Sequence, residues 1–171
     1  MLAKQSPEEL KKFRKMSWCY QQTFATPLKK LSPFIETITC VSTALRGGTV
    51  IIDQAIFEPR HLLALLASHS LNQEYQSGVC ITASGLQETQ SLLQAALSDW
   101  IDFAFVSTPR SFAIYADHDE YITFLADTKS DLNGVVKALL QDGFRSIEGY
   151  EEISPTNRCS LTAQLDRGGR C

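Results

Sequence analysis

Between Ile101 and Ala126 the hydrophobic period of the chain is two. Ile101, Phe103 and Phe105 alternate with Asp102 and Ala104; Phe112, Ile114 and Ala116 alternate with Ala113, Tyr115 and Asp117; Ile122, Phe124 and Ala126 follow in step. Alternation of this kind sends successive side chains to opposite faces of an extended chain, so the run predicts three strands of an antiparallel meander. Pro109-Arg110 marks its first turn and Asp117-His118-Asp119-Glu120 its second, charged one.

A sheet with an apolar face needs a second layer, and the flanking sequence offers helices. Thr128 to Asp131 is a capping box, after which Leu132, Val135, Val136, Leu139 and Leu140 trace one helical stripe that Gly143 ends. Val79 to Ala83 is a short buried-type strand, and Ser84 with Gln87 opens a helix carrying Leu86, Leu93, Leu97 and Trp100. Further back, Thr49 to Asp53 reads as a strand and Pro59 to Ser68 as a helix, so strand, helix, strand, helix predicts right-handed parallel crossovers. Two earlier helices are expected. The first starts at Ser6-Pro7-Glu8-Glu9 and carries Leu10, Phe13, Tyr20 and Phe24; the second starts at Ser32-Pro33, carries Phe34, Ile38, Val41 and Leu45, and is stopped by Gly47-Gly48. Arg145 to Glu152 is a last strand, placed at a sheet edge by its acid content and Gly149.

The fold class is therefore α+β, or mixed α/β: a single domain over residues 1–153 with a mixed sheet, a helical N-terminal part over 1–47 and a sheet part over 48–153. Residues 154–171 read as a polar, flexible tail. From Val79 to Glu152 the order is β-α-β-β-α-β with one extra strand, the pattern of a ferredoxin-like sandwich, preceded by the two N-terminal helices. Enzymes, carriers and regulators all use that pattern. No internal repeat shows at solenoid or propeller periods.

Length and composition exclude several classes. The 171 residues suit one core, and no apolar run approaches the roughly 18 residues a membrane helix needs. The charged N-terminus does not read as a secretory signal, so the expected location is cytoplasmic. Five cysteines, at 19, 40, 80, 159 and 171, form an odd set without a CxxC pair, and Cys40 and Cys80 read as buried small hydrophobes. Charge is uneven. Residues 1–30 hold seven Lys/Arg against two Asp/Glu, residues 31–157 hold six against sixteen, and the rest three against one.

The densest group of titratable side chains is the turn Asp117, His118, Asp119 and Glu120. His118, Asp117 and Asp119 are the candidate catalytic residues, and a metal-assisted hydrolase using this turn is the alternative function. No metal site and no cofactor are expected, since Glu58 and His61 form only one copy of the Glu-x-x-His spacing and no phosphate-binding loop is present. Cys40 and Cys80 show no local sign of a nucleophile; Cys19, flanked by Trp18 and Tyr20 near a basic helix, is the one whose surroundings could lower its pKa, and it reads as inert. Lys11, Lys12, Arg14, Lys15, Lys29 and Lys30 make a basic arm, but in an acidic chain they read as a solvated face, and nucleic acid is not the expected partner.

The acidic body carries the leading expectation. Asp117, Asp119, Glu120, Asp127 and Asp131 are the candidate binding residues of an acidic surface that meets a basic protein partner. The protein is then small, regulatory and non-catalytic, of the inhibitor, immunity or antitoxin type. An exposed last strand also permits a homodimer by edge pairing.

Overall fold

The computed structural model describes residues 2–5, 12–13, 15–41 and 45–150. Its eight strands are β1 (Leu2–Gln5), β2 (Tyr20–Ala25), β3 (Gly47–Ala55), β4 (Cys80–Ser84), β5 (Ile101–Thr108), β6 (Ala113–Ala116), β7 (Tyr121–Ala126) and β8 (Ser146–Ile147). Among the described residues four α-helices accompany them: α1 (Leu31–Cys40), α2 (Arg60–Ser68), α3 (Leu86–Ser98) and α4 (Lys129–Gln141). The strands form one sheet in the order β1-β4-β3-β5-β6-β7-β2-β8, and all its pairings are antiparallel.

The meander expected from the period-two run is β5, β6 and β7, paired Phe105 to Ile114 and Ile114 to Phe124. Its alternation sorts the two faces. Phe103, Phe105, Ile114, Ile122 and Phe124 join Val50, Ile52, Ile81 and Phe24 in a core covered by helices, to which Phe34, Ile38, Leu62, Leu66, Leu92, Leu93, Leu132, Val135 and Leu139 contribute. On the other face Ile51, Cys80, Ala104, Ala113 and Leu125 lie under Phe13 and Trp18. Both sides of the central strands are thus dry, which explains why β5 is buried from Ile101 to Phe105 whatever the residue type.

The N-terminal half departs from the sequence reading. Tyr20 to Ala25, expected to end a first helix, is strand β2, because Thr23 and Phe24 pair with Thr123 and Ile122 of β7; the helix start at Ser6-Pro7 lies outside the described residues. The second helix is shorter than expected, and Gly47-Gly48 do not stop it but open β3, where a Cβ on Gly48 would collide with the Phe105 ring. Ser84 is not the cap of α3; Gly85 is, with φ +121°. Cys40, expected to be buried, is exposed at the end of α1, while Cys80 is buried. The last strand is cut to Ser146–Ile147 and lies at a sheet edge.

The expected parallel crossovers are not formed, and the ferredoxin-like ordering is not the one found. β4 and β5 run in the same direction, but β3 is inserted antiparallel between them; β7 and β8 likewise flank β2. The sheet instead contains one topology twice. β3-α2-β4-α3-β5 places its first strand in the centre, its second on one side and its third on the other, and β2-α1-β7-α4-β8 does the same, with the whole first unit and β6 inserted between α1 and β7. In each unit the two helices pack together, α2 on α3 and α1 on α4. The helices α3 and α4 are each 13 residues long, and each ends in an aspartate cap, Asp99 or Asp142, whose N–H donates to Ala95 O or Ala138 O. The next residue is left-handed in both: Gly143 at φ +79° in the second unit, but Trp100 at φ +56° in the first.

Candidate functional site

At one end of the sheet three connections meet: residues 56–59 between β3 and α2, residues 99–100 between α3 and β5, and the β6–β7 turn 117–120. Together they line a cleft of about 500 Å³ with Ile56, Phe57, Glu58, Ser98, Asp99, Trp100 and His118. Phe57 is 65% exposed and Ile56 42%, large apolar groups held in water where the chain has ample core to hide them.

Two buried aspartates build the walls. Asp99 accepts the backbone N–H groups of His61 (3.1 Å) and Leu62 (2.8 Å), so a side chain 38 residues away supplies the N-terminal cap that Pro59 lacks. The same carboxylate lies 2.6 Å from His61 Nδ1. Asp102, three residues on, accepts the His118 N–H at 2.7 Å and faces His118 Nδ1 at 3.0 Å. A β-bulge in β3 between Ile52 and Gln54 sits beside Asp102, and Asp53 there accepts the Tyr115 hydroxyl at 3.2 Å. Each histidine is therefore oriented through Nδ1 by a carboxylate that is itself fixed in the fold.

The His118 imidazole titrates above its ordinary 6.5. The hydrogen bond to Asp102 is the main cause; desolvation opposes it, and the charges of Asp102, Asp119 and Asp117 add to it. Its Nε2 lies 3.7 Å from Asp119 Oδ1. Asp117 points elsewhere: Oδ1 accepts the N–H groups of Asp119 and Tyr121, and Oδ2 accepts the Tyr150 hydroxyl at 2.9 Å, while the Tyr150 ring stacks on Tyr121. This aspartate closes the turn, and Glu120 takes the left-handed position at φ +69°.

The structure thus brings His118 to the cleft with Asp119 beside its Nε2, ties Asp117 into the turn, and leaves Glu120 exposed in the same turn. It does not bring the other two candidate binding residues to the same place. Asp127 and Asp131 follow the opposite end of the six-residue β7, where Asp127 pairs with Arg110 at 2.7 Å and Asp131 accepts the Thr128 hydroxyl at 2.6 Å. Among the described residues no three His, Cys, Asp or Glu side chains converge to hold a metal ion, and none of the helices is long and apolar enough to cross a membrane. Of the basic arm, Lys12, Lys15, Lys29 and Lys30 are exposed; Lys11 and Arg14 lie outside the described residues.

Ile56, Phe57, Asp99, Trp100 and Asp102 were not read as site residues from the sequence; Trp100 was expected inside a helix and Asp102 in a strand. A tryptophan directly after a helix-ending aspartate, where its counterpart is Gly143, is the one local sign that marked the place. No protein-family model matches this chain, and comparison with curated proteins and with solved structures likewise finds no match, so the functional reading rests on the geometry alone.

Proposed function

We propose that the protein is a small, non-catalytic protein-binding or regulatory protein that docks a basic partner at this cleft, in the manner of an inhibitor, immunity protein or antitoxin. The observation that carries the reading is Phe57, 65% exposed, which lines the cleft with Ile56, Trp100 and the carboxylate-bearing Glu58, while Asp119 adjoins His118 on the same wall. An aromatic centre with a charged rim is the anatomy of a specific interface, in which the centre supplies affinity and the rim steers the approach.

The test is binding to the natural partner. Proteins retained on the purified chain at low salt are identified and produced separately, and their affinity is measured by calorimetry. Affinity for the true partner falls with rising salt and drops at least tenfold in Phe57→Ala and in Glu58→Gln. A partner whose affinity ignores both substitutions overturns the reading.

One observation favours a second reading, a hydrolase. His118, with Nδ1 on a near-buried carboxylate and a raised pKa, is arranged as a general acid or base is. Hydrolysis of ester or amide substrates that His118→Ala abolishes would replace the first reading with this one.

A further inference from the structure

The same molecule shows what an aromatic face and a carboxylate do with a guanidinium. At the far end of the sheet the Arg110 guanidinium carbon lies 4.5 Å from the Trp18 ring centroid while Nη2 reaches Asp127 at 2.7 Å. The cleft has the ring and the carboxylate of that set without the guanidinium. Trp100 supplies the ring and Phe57 a second one, Glu58 lies on the wall, and Asp119 adjoins His118. Arg60 sits outside the lining with Nε 3.5 Å from Glu58; that pair is solvent-exposed on both sides and opens at little cost.

Trp100 itself is the second sign. It holds a left-handed backbone that its counterpart Gly143 adopts freely, which for a bulky residue costs roughly 1 kcal/mol or more. The indole is kept there at the expense of local stability, as side chains at functional sites are.

We propose that the cleft is the receptor for one arginine side chain of the docking partner, its guanidinium stacked on Trp100 and its charge met by Glu58 and Asp119. This rests on the docking reading and names the chemistry of its anchor. Arginine fits better than lysine because its flat, weakly hydrated cation stacks on indole and leaves its N–H edge for carboxylates. Asp99, saturated by His61 and Leu62, contributes only its field.

The test titrates the purified protein with N-acetyl-arginine N-methylamide and with the uncharged citrulline analogue, following the indole Nε1–H resonances of Trp18 and Trp100. Trp100→Phe assigns the two signals. The arginine probe shifts Trp100 and not Trp18, saturating in the millimolar range; the citrulline probe binds at least tenfold more weakly, and Glu58→Gln weakens the arginine probe three- to tenfold. Equal binding of the two probes, or a response confined to Trp18, overturns the assignment. A partner that needs Phe57 although the arginine probe leaves Trp100 unmoved removes the arginine anchor alone. Probe binding at Trp100, with no partner sensitive to Phe57→Ala, removes the docking reading and leaves a guanidinium site.

Discussion

Asp99 and Asp102 do different work from nearly the same place. Asp99 caps α2 and is almost fully buried, so Asp99→Ala strands two backbone N–H groups and should cost about 1–3 kcal/mol in urea unfolding. A midpoint unchanged from wild type would show that the cap contributes nothing. Asp102 acts on His118. Because the folded pKa of His118 lies above its unfolded 6.5, the pair stabilises the fold fully below about pH 6.5, and that contribution disappears as pH rises through the folded value. Asp102→Asn keeps an acceptor for the His118 N–H and removes the charge, so the imidazole midpoint followed by NMR should fall toward 6.5; an unmoved midpoint would assign the shift to Asp117 and Asp119 instead. Trp100→Gly gives the left-handed position its natural residue, and relief of strain offsets lost ring contacts. Stability should stay within about 1 kcal/mol of wild type while the cleft loses its aromatic wall. These residue-scale features were only partly legible in the sequence. The turn 117–120 stood out by its charge, but that Asp117 faces the loop and His118 the cleft depends on Tyr150 and Asp102, which are distant in sequence and alternate-face neighbours in space.

At the scale of elements, local chemistry was readable where it is self-contained. The N-cap half of the box expected at Thr128 and Asp131 forms, with Thr128 accepting the Asp131 N–H at 3.1 Å, while the Asp131 carboxylate accepts the Thr128 hydroxyl rather than its N–H; α4 runs from there as its apolar stripe requires. Leu139 is fully buried and Leu140 half exposed, so Leu139→Ala should cost about 2–5 kcal/mol and Leu140→Ala under about 1 kcal/mol in the same unfolding assay. Similar losses for both would place the stripe wrongly. The sequence misled where partners decide. Tyr20 to Ala25 carries helix-compatible residues, and only pairing with β7 and β8 makes it a strand. Gly47-Gly48 is a helix stop by composition, but here β3 passes the Ala83 carbonyl at Gly47 and the Phe105 ring at Gly48, leaving no room for a Cβ at either.

At the scale of the molecule, the alternating run from Ile101 to Ala126 announced an α+β protein, and the antiparallel sheet with helices on its main core face agrees. The order of strands was not legible, because a unit inserted inside a second unit of the same topology leaves no tandem period to detect. That architecture also positions the cleft. Corresponding ends of the two units carry Asp99-Trp100 and Asp142-Gly143, and the aromatic cleft lies beside the first. Under the docking proposal the charge of the cleft would couple binding to pH. Asp102, Asp119 and Asp117 act on His118, which shares the cleft with Glu58 and Asp99, and protonation of the imidazole cancels one of their charges. Affinity for a basic partner should therefore fall as pH drops through the raised His118 pKa, and His118→Ala should flatten that step in calorimetric titrations; a dependence that survives the substitution would place the titrating group elsewhere.

The most direct test puts a photo-crosslinking phenylalanine analogue at Phe57 and, separately, at Leu140 on the outer face of α4, in cells that make the protein. The docking account predicts a dominant adduct with one basic protein from position 57, an adduct peptide containing arginine, and no such adduct from position 140. Equal labelling from both positions, or none from position 57, would contradict it.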